Sequence, residues 1–183
     1  IVDTPLRDKR YRYSCVGFIL LQQLVEARTG MSMDEYLAKE FYTPMGLERT
    51  GYLPLRFLKK EDIVPSSTDP FLRKTTLQGF VHDESAAFQG GVSGNAGLFS
   101  TAEEVDGKRY LSKETCRVFT TTVSRISRRG LGFDKPDRHN PQKSPCAESA
   151  PASVYGHTGF TGTCAWTDPE NGLVYVFLSN RTY

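Results

Sequence analysis

Three stretches of the 183-residue chain carry side chains suited to chemistry. The first is Tyr13-Ser14-Cys15, at the start of a helical pattern. A tyrosine at a helix N-terminus sits in a positive local potential that favours the phenolate. That is the form a general base needs near neutral pH. A packed aromatic beside an ordinary Ser cap fits the same residues. The second stretch is Gly156-His157-Thr158-Gly159-Phe160-Thr161-Gly162. Glycine within a strand marks a place where something approaches the backbone closely. A strand edge can offer its N–H groups to a ligand oxygen, which is what an oxyanion hole requires. His157 and Thr158 would then meet a carboxylate or carbonyl. A glycine-bulged edge strand explains the pattern equally. The third stretch is Val81-His82-Asp83-Glu84-Ser85, followed by a glycine loop running to Ser100. His82 and Asp83 are sequence neighbours whose side chains point apart, so holding the loop suits His82 better than a triad role. No ligand spacing joins His82, His139 and His157 into a zinc site. Neither a metal nor a cofactor is expected.

The elements that must position these residues are readable in outline. Ser14 to Gly30 has the pattern of a helix, with Ser14 as N-cap and Gly30 at the left-handed C-terminal position. Phe18, Leu21, Leu24 and Val25 share one face, and Ile19 and Leu20 widen it, so a deeply buried helix is expected. Ser32 and Glu35 form a capping box for a second helix that Pro44 ends. Residues 45 to 100 are punctuated by proline and glycine and are expected to be largely irregular. A connection of that length is unusual unless it shapes a site. Ser100-Thr101-Ala102-Glu103 is a further capping box, but its helix stops at Asp106-Gly107. A helix so short is marginal, which points to residues missing between Val105 and Gly107. Ser112 caps a short helix to about Thr120. Val154 to Thr158, Cys164 to Thr167 and Leu173 to Leu178 have strand character. Asp168-Pro169-Glu170-Asn171-Gly172 makes the last two a hairpin. The order implies an α+β fold, with helices packed on an antiparallel sheet. One domain covers 1–183, helical over about 12–150 and closing with strands over about 152–183.

Bulk properties narrow the function. A formal charge of +2, from 23 basic and 21 acidic residues, gives no reason to expect nucleic acid or an anionic membrane as partner. Lys9-Arg10 and Arg128-Arg129 are expected in solvated loops. No apolar run approaches the roughly 18 residues of a membrane span. The opening Ile1-Val2-Asp3-Thr4 has no signal-peptide pattern, so a leader is absent or already removed. Cys15, Cys116, Cys146 and Cys164 are widely spaced and are expected as isolated thiols. A cysteine nucleophile at Cys15 is conceivable from its place at a helix N-terminus, although a small residue buried at the helix start is the simpler reading.

In order along the chain, these segments resemble the serine β-lactamase and penicillin-binding-protein family, in its class C-like esterase and D-Ala-D-Ala carboxypeptidase-like branch. Tyr13-Ser14-Cys15, with the helix to Thr29-Gly30, is similar to the family's second motif, Tyr-Ser-Asn. His82 to Ala86 and Gly90 to Ala102 resemble the loop before the next helix in esterase-like members. His157-Thr158-Gly159-Phe160-Thr161-Gly162-Thr163 resembles the third motif, Lys-Thr-Gly, in its histidine form. Asp168-Pro169 and Ser179-Asn180-Arg181 are similar to the closing hairpin. The resemblance implies a β-lactamase/transpeptidase-like fold and an acyl-enzyme formed by the serine of a Ser-x-x-Lys motif. It makes Tyr13 the general base or proton relay and the Phe160 N–H the second oxyanion donor. Cys15, His157, Thr158, Gly159 and Phe160 become the substrate-binding wall. The partner implied is a small-molecule or peptide-like ester or amide, met outside the cytoplasm.

Two departures shape the expectation. No serine of the chain stands in Ser-x-x-Lys, and only 12 residues precede Tyr13. The chain is therefore expected to be the C-terminal part of an enzyme whose nucleophile lies upstream, or an accessory module that keeps the fold without the activity. Cys15 also replaces the family's Asn, and a thiol hydrogen-bonds weakly. His157 replaces a lysine, removing a fixed positive charge. Both lean toward an esterase or peptidase-like relative and away from penicillin hydrolysis.

Overall fold

The computed structural model describes residues 11–102 and 109–183. The chain forms two compact units, each assembled from separated stretches. One comprises Ser14–Tyr110, Phe160–Thr163 and Leu178–Tyr183; the other comprises Ile1–Tyr13, Leu111–Gly159 and Cys164–Phe177. The capping box that begins at Ser100 runs into 103–108. Its short helix, and the break expected between Val105 and Gly107, lie outside the described residues.

The first unit opens with helix α1 (Val16–Thr29), which Gly30 closes at φ 68° by donating its N–H to the Glu26 carbonyl. The N-cap position is Cys15, which makes no side-chain cap bond, so the expected Ser14 cap is not observed; Ser14 stands one residue earlier, its hydroxyl accepting from the Val16 N–H at 3.2 Å. The expected deep burial of α1 is not observed. Leu20, Leu21 and Leu24 are 54%, 53% and 56% exposed, and the buried residue is Gln22. The reason is polar. Gln22 accepts from the Gly94 N–H at 3.0 Å and donates to the Val92 carbonyl at 3.4 Å, so these bonds decide which face of α1 meets the glycine loop. Gly94 must be glycine there, because a Cβ would stand 2.1 Å from the Phe18 carbonyl oxygen.

Helix α2 (Met33–Leu37) runs on into a π-helical turn, Ala38–Tyr42. The expected capping box does not form. Ser32 makes no side-chain cap, and the Met33 N–H donates instead to Glu26 of α1 at 3.0 Å. A carboxylate from the preceding helix thus satisfies the N–H of the first helical residue, a different donor from those a Ser32 side-chain cap would reach.

The long connection is irregular, as expected, with short paired segments. β1 (Gly51–Tyr52) pairs with β4 (Leu98–Phe99), and β2 (Ser67–Asp69) pairs with β3 (Thr75–Leu77), both antiparallel. Helix α3 (Glu84–Phe88) starts at Asp83, whose carboxylate accepts from the Ala86 N–H at 2.8 Å. Asp83 also accepts from Asn95 at 3.2 Å, and Asn95 accepts from the fully buried Ser93 at 2.7 Å. Asp83 is thereby a structural cap that gathers the glycine loop. Met33, Ile63, Leu77, Val81 and Ala86 form the small apolar core of this unit.

A buried ion pair braces the same unit. Asp69 accepts from Arg73 Nε at 2.6 Å and from the Phe71 and Leu72 N–H groups. Arg73 in turn donates to the Val81 and His82 carbonyls, each at 2.8 Å. The Arg73 bond, with the help of the backbone donors, holds the Asp69 carboxyl down at about 2. A carboxyl depressed in the folded state stabilises above its unfolded pKa, near 4, and that stabilisation is lost as pH falls toward 2. Urea denaturation between pH 5 and pH 2 is therefore expected to lose midpoint faster in the wild-type protein than in Asp69→Asn. Parallel curves would show that Asp69 contributes nothing to the acid response.

The second unit carries helix α4 (Lys113–Thr120), capped by Ser112 as expected, with the Thr115 N–H donating to its hydroxyl at 3.0 Å. Its sheet is an antiparallel meander of β5 (Tyr155–Thr158), β6 (Cys164–Asp168) and β7 (Leu173–Phe177). The β6–β7 hairpin forms where the Asn-Gly pair places it. Gly172 has φ 65°, and Asp168 accepts from the Glu170 and Asn171 N–H groups across the turn. β7 is exposed at every residue along the sheet edge. All four cysteines are free thiols. Burial pushes that of Cys146 up to about 11, which keeps it protonated near neutral pH.

Candidate active site

Gly156, the first glycine of the predicted strand box, shows why the backbone there is bare. It pairs with Trp166 on β6 and bridges Asp134 on its other side. The Asp134 N–H donates to the Gly156 carbonyl at 2.7 Å, and the Gly156 N–H returns a bond at 3.1 Å. A Cβ on Gly156 would stand 2.1 Å from the Ala165 carbonyl oxygen. Close approach was expected at this glycine, and the approaching group is the protein's own neighbouring strand.

Asp134 is then the residue from which the site is built. It is 5% exposed, and its carboxylate receives a two-pronged bond from Arg128, Nε at 2.7 Å and Nη2 at 2.9 Å. Arg129 Nη2 adds a third bond at 2.8 Å. Arg128 also reaches Asp137 at 3.3 Å. The expectation of a solvated Arg128-Arg129 run is thus corrected. A buried acceptor only five and six residues downstream draws both guanidinium groups inward, and sequence periodicity does not register such a partner.

From Asp134 the chain of contacts runs outward to His157. Arg129 Nη1 lies 2.8 Å from His157 Nε2, and His157 Nδ1 lies 2.7 Å from the Thr158 carbonyl oxygen. A guanidinium only donates and a carbonyl only accepts. The proton therefore sits on Nδ1, and Nε2 is the acceptor. Both ring nitrogens are engaged within the protein, and the cation of this corner is Arg129. Tyr13 completes the group. Its ring centroid is 6.2 Å from that of His157, and the Arg129 guanidinium carbon is 5.0 Å from the Tyr13 ring centroid. Tyr13 is 58% exposed.

Tyr13 and His157, far apart in sequence, are thus neighbours, and Arg129, which sequence reasoning missed, stands between them. Thr158 and Gly159 follow His157 and are exposed. Cys15 and Phe160 belong to the other unit. Cys15 is half-buried at the N-terminal end of α1 and makes no side-chain cap bond. Phe160 is 65% exposed, and its N–H donates to no atom among the described residues. His82 stacks on the Phe160 ring, centroids 5.1 Å apart and planes 8° from parallel. Among the described residues no group of His, Cys, Asp and Glu is arranged to hold a metal ion. No helix among them is long and apolar enough to cross a membrane.

A tyrosine before a helix, a glycine-flanked His-Thr strand and a closing hairpin define a β-lactamase-like α+β protein. The chain belongs to the β-lactamase family, whose model matches residues 3–183. It is 33% identical to a putative D-alanyl-D-alanine carboxypeptidase of Escherichia coli K12, over all of this chain and 48% of that protein. It is 34% identical to an N-acetylmuramyl-L-alanine amidase of Bacillus subtilis, over 95% of this chain and 45% of that protein. The chain spans about half the length of the curated relatives it matches. Among solved structures, a β-lactamase from Mycobacterium bovis superposes with a TM-score of 0.61 at 22% identity, covering 95% of this chain and 58% of the other. A penicillin-binding-protein homologue from Caulobacter crescentus superposes at 0.59 and 18%, covering 97% and 54%. These likenesses show the β-lactamase/penicillin-binding-protein fold.

Proposed function

We propose that this chain is part of a serine hydrolase that cleaves an ester or amide through an acyl-serine. The serine would come from a Ser-x-x-Lys motif outside these 183 residues. The observation that carries the reading is the meeting of Tyr13 with His157 and Arg129 in a β-lactamase-family chain. Tyr13, more than half exposed, is the proton relay. Phe160 contributes its N–H to the oxyanion. Thr158 and Gly159, exposed at the end of β5, contact the substrate, as does Cys15. His157 holds the wall through its two internal bonds, and Arg129 supplies the positive charge that the lysine of the family's third motif would otherwise bring. The relatives' names, a carboxypeptidase and an amidase, support a peptide-like amide as the substrate class.

The absence of Ser-x-x-Lys from these residues favours one rival, a non-catalytic module that keeps the fold. Labelling of the full-length protein with a fluorophosphonate and a fluorescent penicillin separates the two. The hydrolase is expected to give a covalent serine adduct and to turn over nitrophenyl esters. If neither label attaches and no ester is hydrolysed, the accessory module is the correct reading.

A further inference from the structure

The environment of Phe160 has a feature that the hydrolase reading does not use. With 65% of its surface exposed, Phe160 is not held by burial in a core. It is held by two side chains and one carbonyl bond. His82 stacks on the ring at 5.1 Å, and the Arg181 guanidinium carbon lies 5.1 Å from the same ring centroid. Arg181 Nε donates to the Phe160 carbonyl at 2.7 Å, and the Arg181 N–H donates to the Thr161 carbonyl at 3.0 Å.

Both holding residues are themselves anchored. The Arg181 segment is tied to the long connection by Asn180, which donates to the Pro65 carbonyl, and by Thr182, which donates to the Ser66 carbonyl at 2.6 Å. Just before it, Ser179 donates to the Gly162 carbonyl at 2.8 Å. The His82 carbonyl is held by Arg73, which is paired to buried Asp69. Two of the groups on the Phe160 Cα, its ring and its carbonyl, are therefore fixed from separate directions. With its ring and carbonyl held, tetrahedral geometry about the Cα also places the third group, the amide nitrogen, and the direction of its N–H is then set by the single rotation about N–Cα. That nitrogen carries the N–H that donates to no atom among the described residues.

We infer that Arg181 and His82 are positioning residues that clamp Phe160 so that its amide nitrogen is held in place before substrate arrives. The inference rests on the proposed function for the use of that N–H, while the clamp itself is a statement about geometry. A preorganised donor acts on charge that develops in the transition state, so loosening it lowers kcat and leaves KM nearly unchanged.

The test uses the full-length protein labelled with ¹⁵N-phenylalanine. Arg181→Lys keeps a cation near the ring and loses the planar Nε–H donor. His82→Ala removes the stack. Each is expected to shift and broaden the Phe160 amide resonance, and to lower kcat for a nitrophenyl ester roughly 10-fold with KM within about twofold, a fraction of the 10²–10³ that loss of an oxyanion donor costs. In a Phe160→Ala background, His82→Ala is expected to have no further effect, because both changes act through one ring. An unmoved Phe160 amide in both variants overturns the clamp. A disturbed amide with unchanged kcat, or equal losses from His82→Ala with and without the Phe160 ring, overturns the positioning role. Wild-type protein that neither labels nor turns over overturns the hydrolase reading, and the amide resonance still decides whether the clamp exists.

Discussion

Tyr13→Phe in the full-length protein is expected to lower kcat by about 10²–10⁴, the range for removal of a general acid–base group. The substitution deletes one oxygen and keeps the ring. The contacts that place Tyr13, the Arg129 guanidinium at 5.0 Å and the His157 ring at 6.2 Å, involve the ring and survive. Because the residue is 58% exposed, stability should move by no more than about 0.5 kcal/mol. Measuring kcat, KM and thermal midpoint together separates the two outcomes. A large fall in kcat at constant midpoint places the hydroxyl in proton transfer. Unchanged turnover removes Tyr13 from the mechanism, however suggestive its neighbours.

Asp134→Ala is expected to destabilise the protein by about 2–4 kcal/mol. Removing one member of a buried ion pair strands its partners, at a cost of roughly 3–5 kcal/mol for full burial. Arg128 and Arg129 keep 32% and 20% of their side chains in water, which lowers the figure. Urea denaturation gives the number directly, as a shift of midpoint at constant slope. The change should also reach the site. Without Asp134, Arg129 loses the bond that aims it at His157 Nε2, and the Thr158 carbonyl is left as the one partner that fixes the imidazole tautomer. A loss below about 0.5 kcal/mol would show that the pair is solvated in solution. Asp134→Asn, which keeps a side-chain acceptor, should cost less than the alanine variant.

The two variants differ in how far the sequence alone could have led to them. Tyr13 was accessible because its motif is local: three residues before a helix, matched by a glycine-rich strand far along the chain. Asp134 was not. Nothing in Phe133-Asp134-Lys135 distinguishes a buried carboxylate from a loop aspartate until its bridge to Gly156 is seen. The same holds for Arg129, which in sequence is half of a basic pair. His82 is intermediate. Holding the loop was the expected role, and the stack on Phe160 adds a partner that only folding brings near.

What the sequence determined by itself is what short-range chemistry decides. Gly30 ends α1 because only a residue without Cβ takes φ 68° freely. Ser112 starts α4 by accepting a neighbouring N–H. Asp168 and Gly172 turn the last hairpin. Ordered motifs from Tyr13 to His157 marked the β-lactamase family, because each is a compact unit of backbone and side chain. Only the tertiary structure decided which face of α1 turns inward, since the hydrogen bonds of Gln22 to Val92 and Gly94 outrank the leucine stripe. It alone brought the Glu26 carboxylate to the first N–H of α2, where Ser32 makes no side-chain cap. It alone set Arg129 between Tyr13 and His157, because the carboxylate that places Arg129 is buried by a strand more than twenty residues downstream. Such contacts depend on which backbone atoms fold leaves without partners, and a linear pattern carries no record of them.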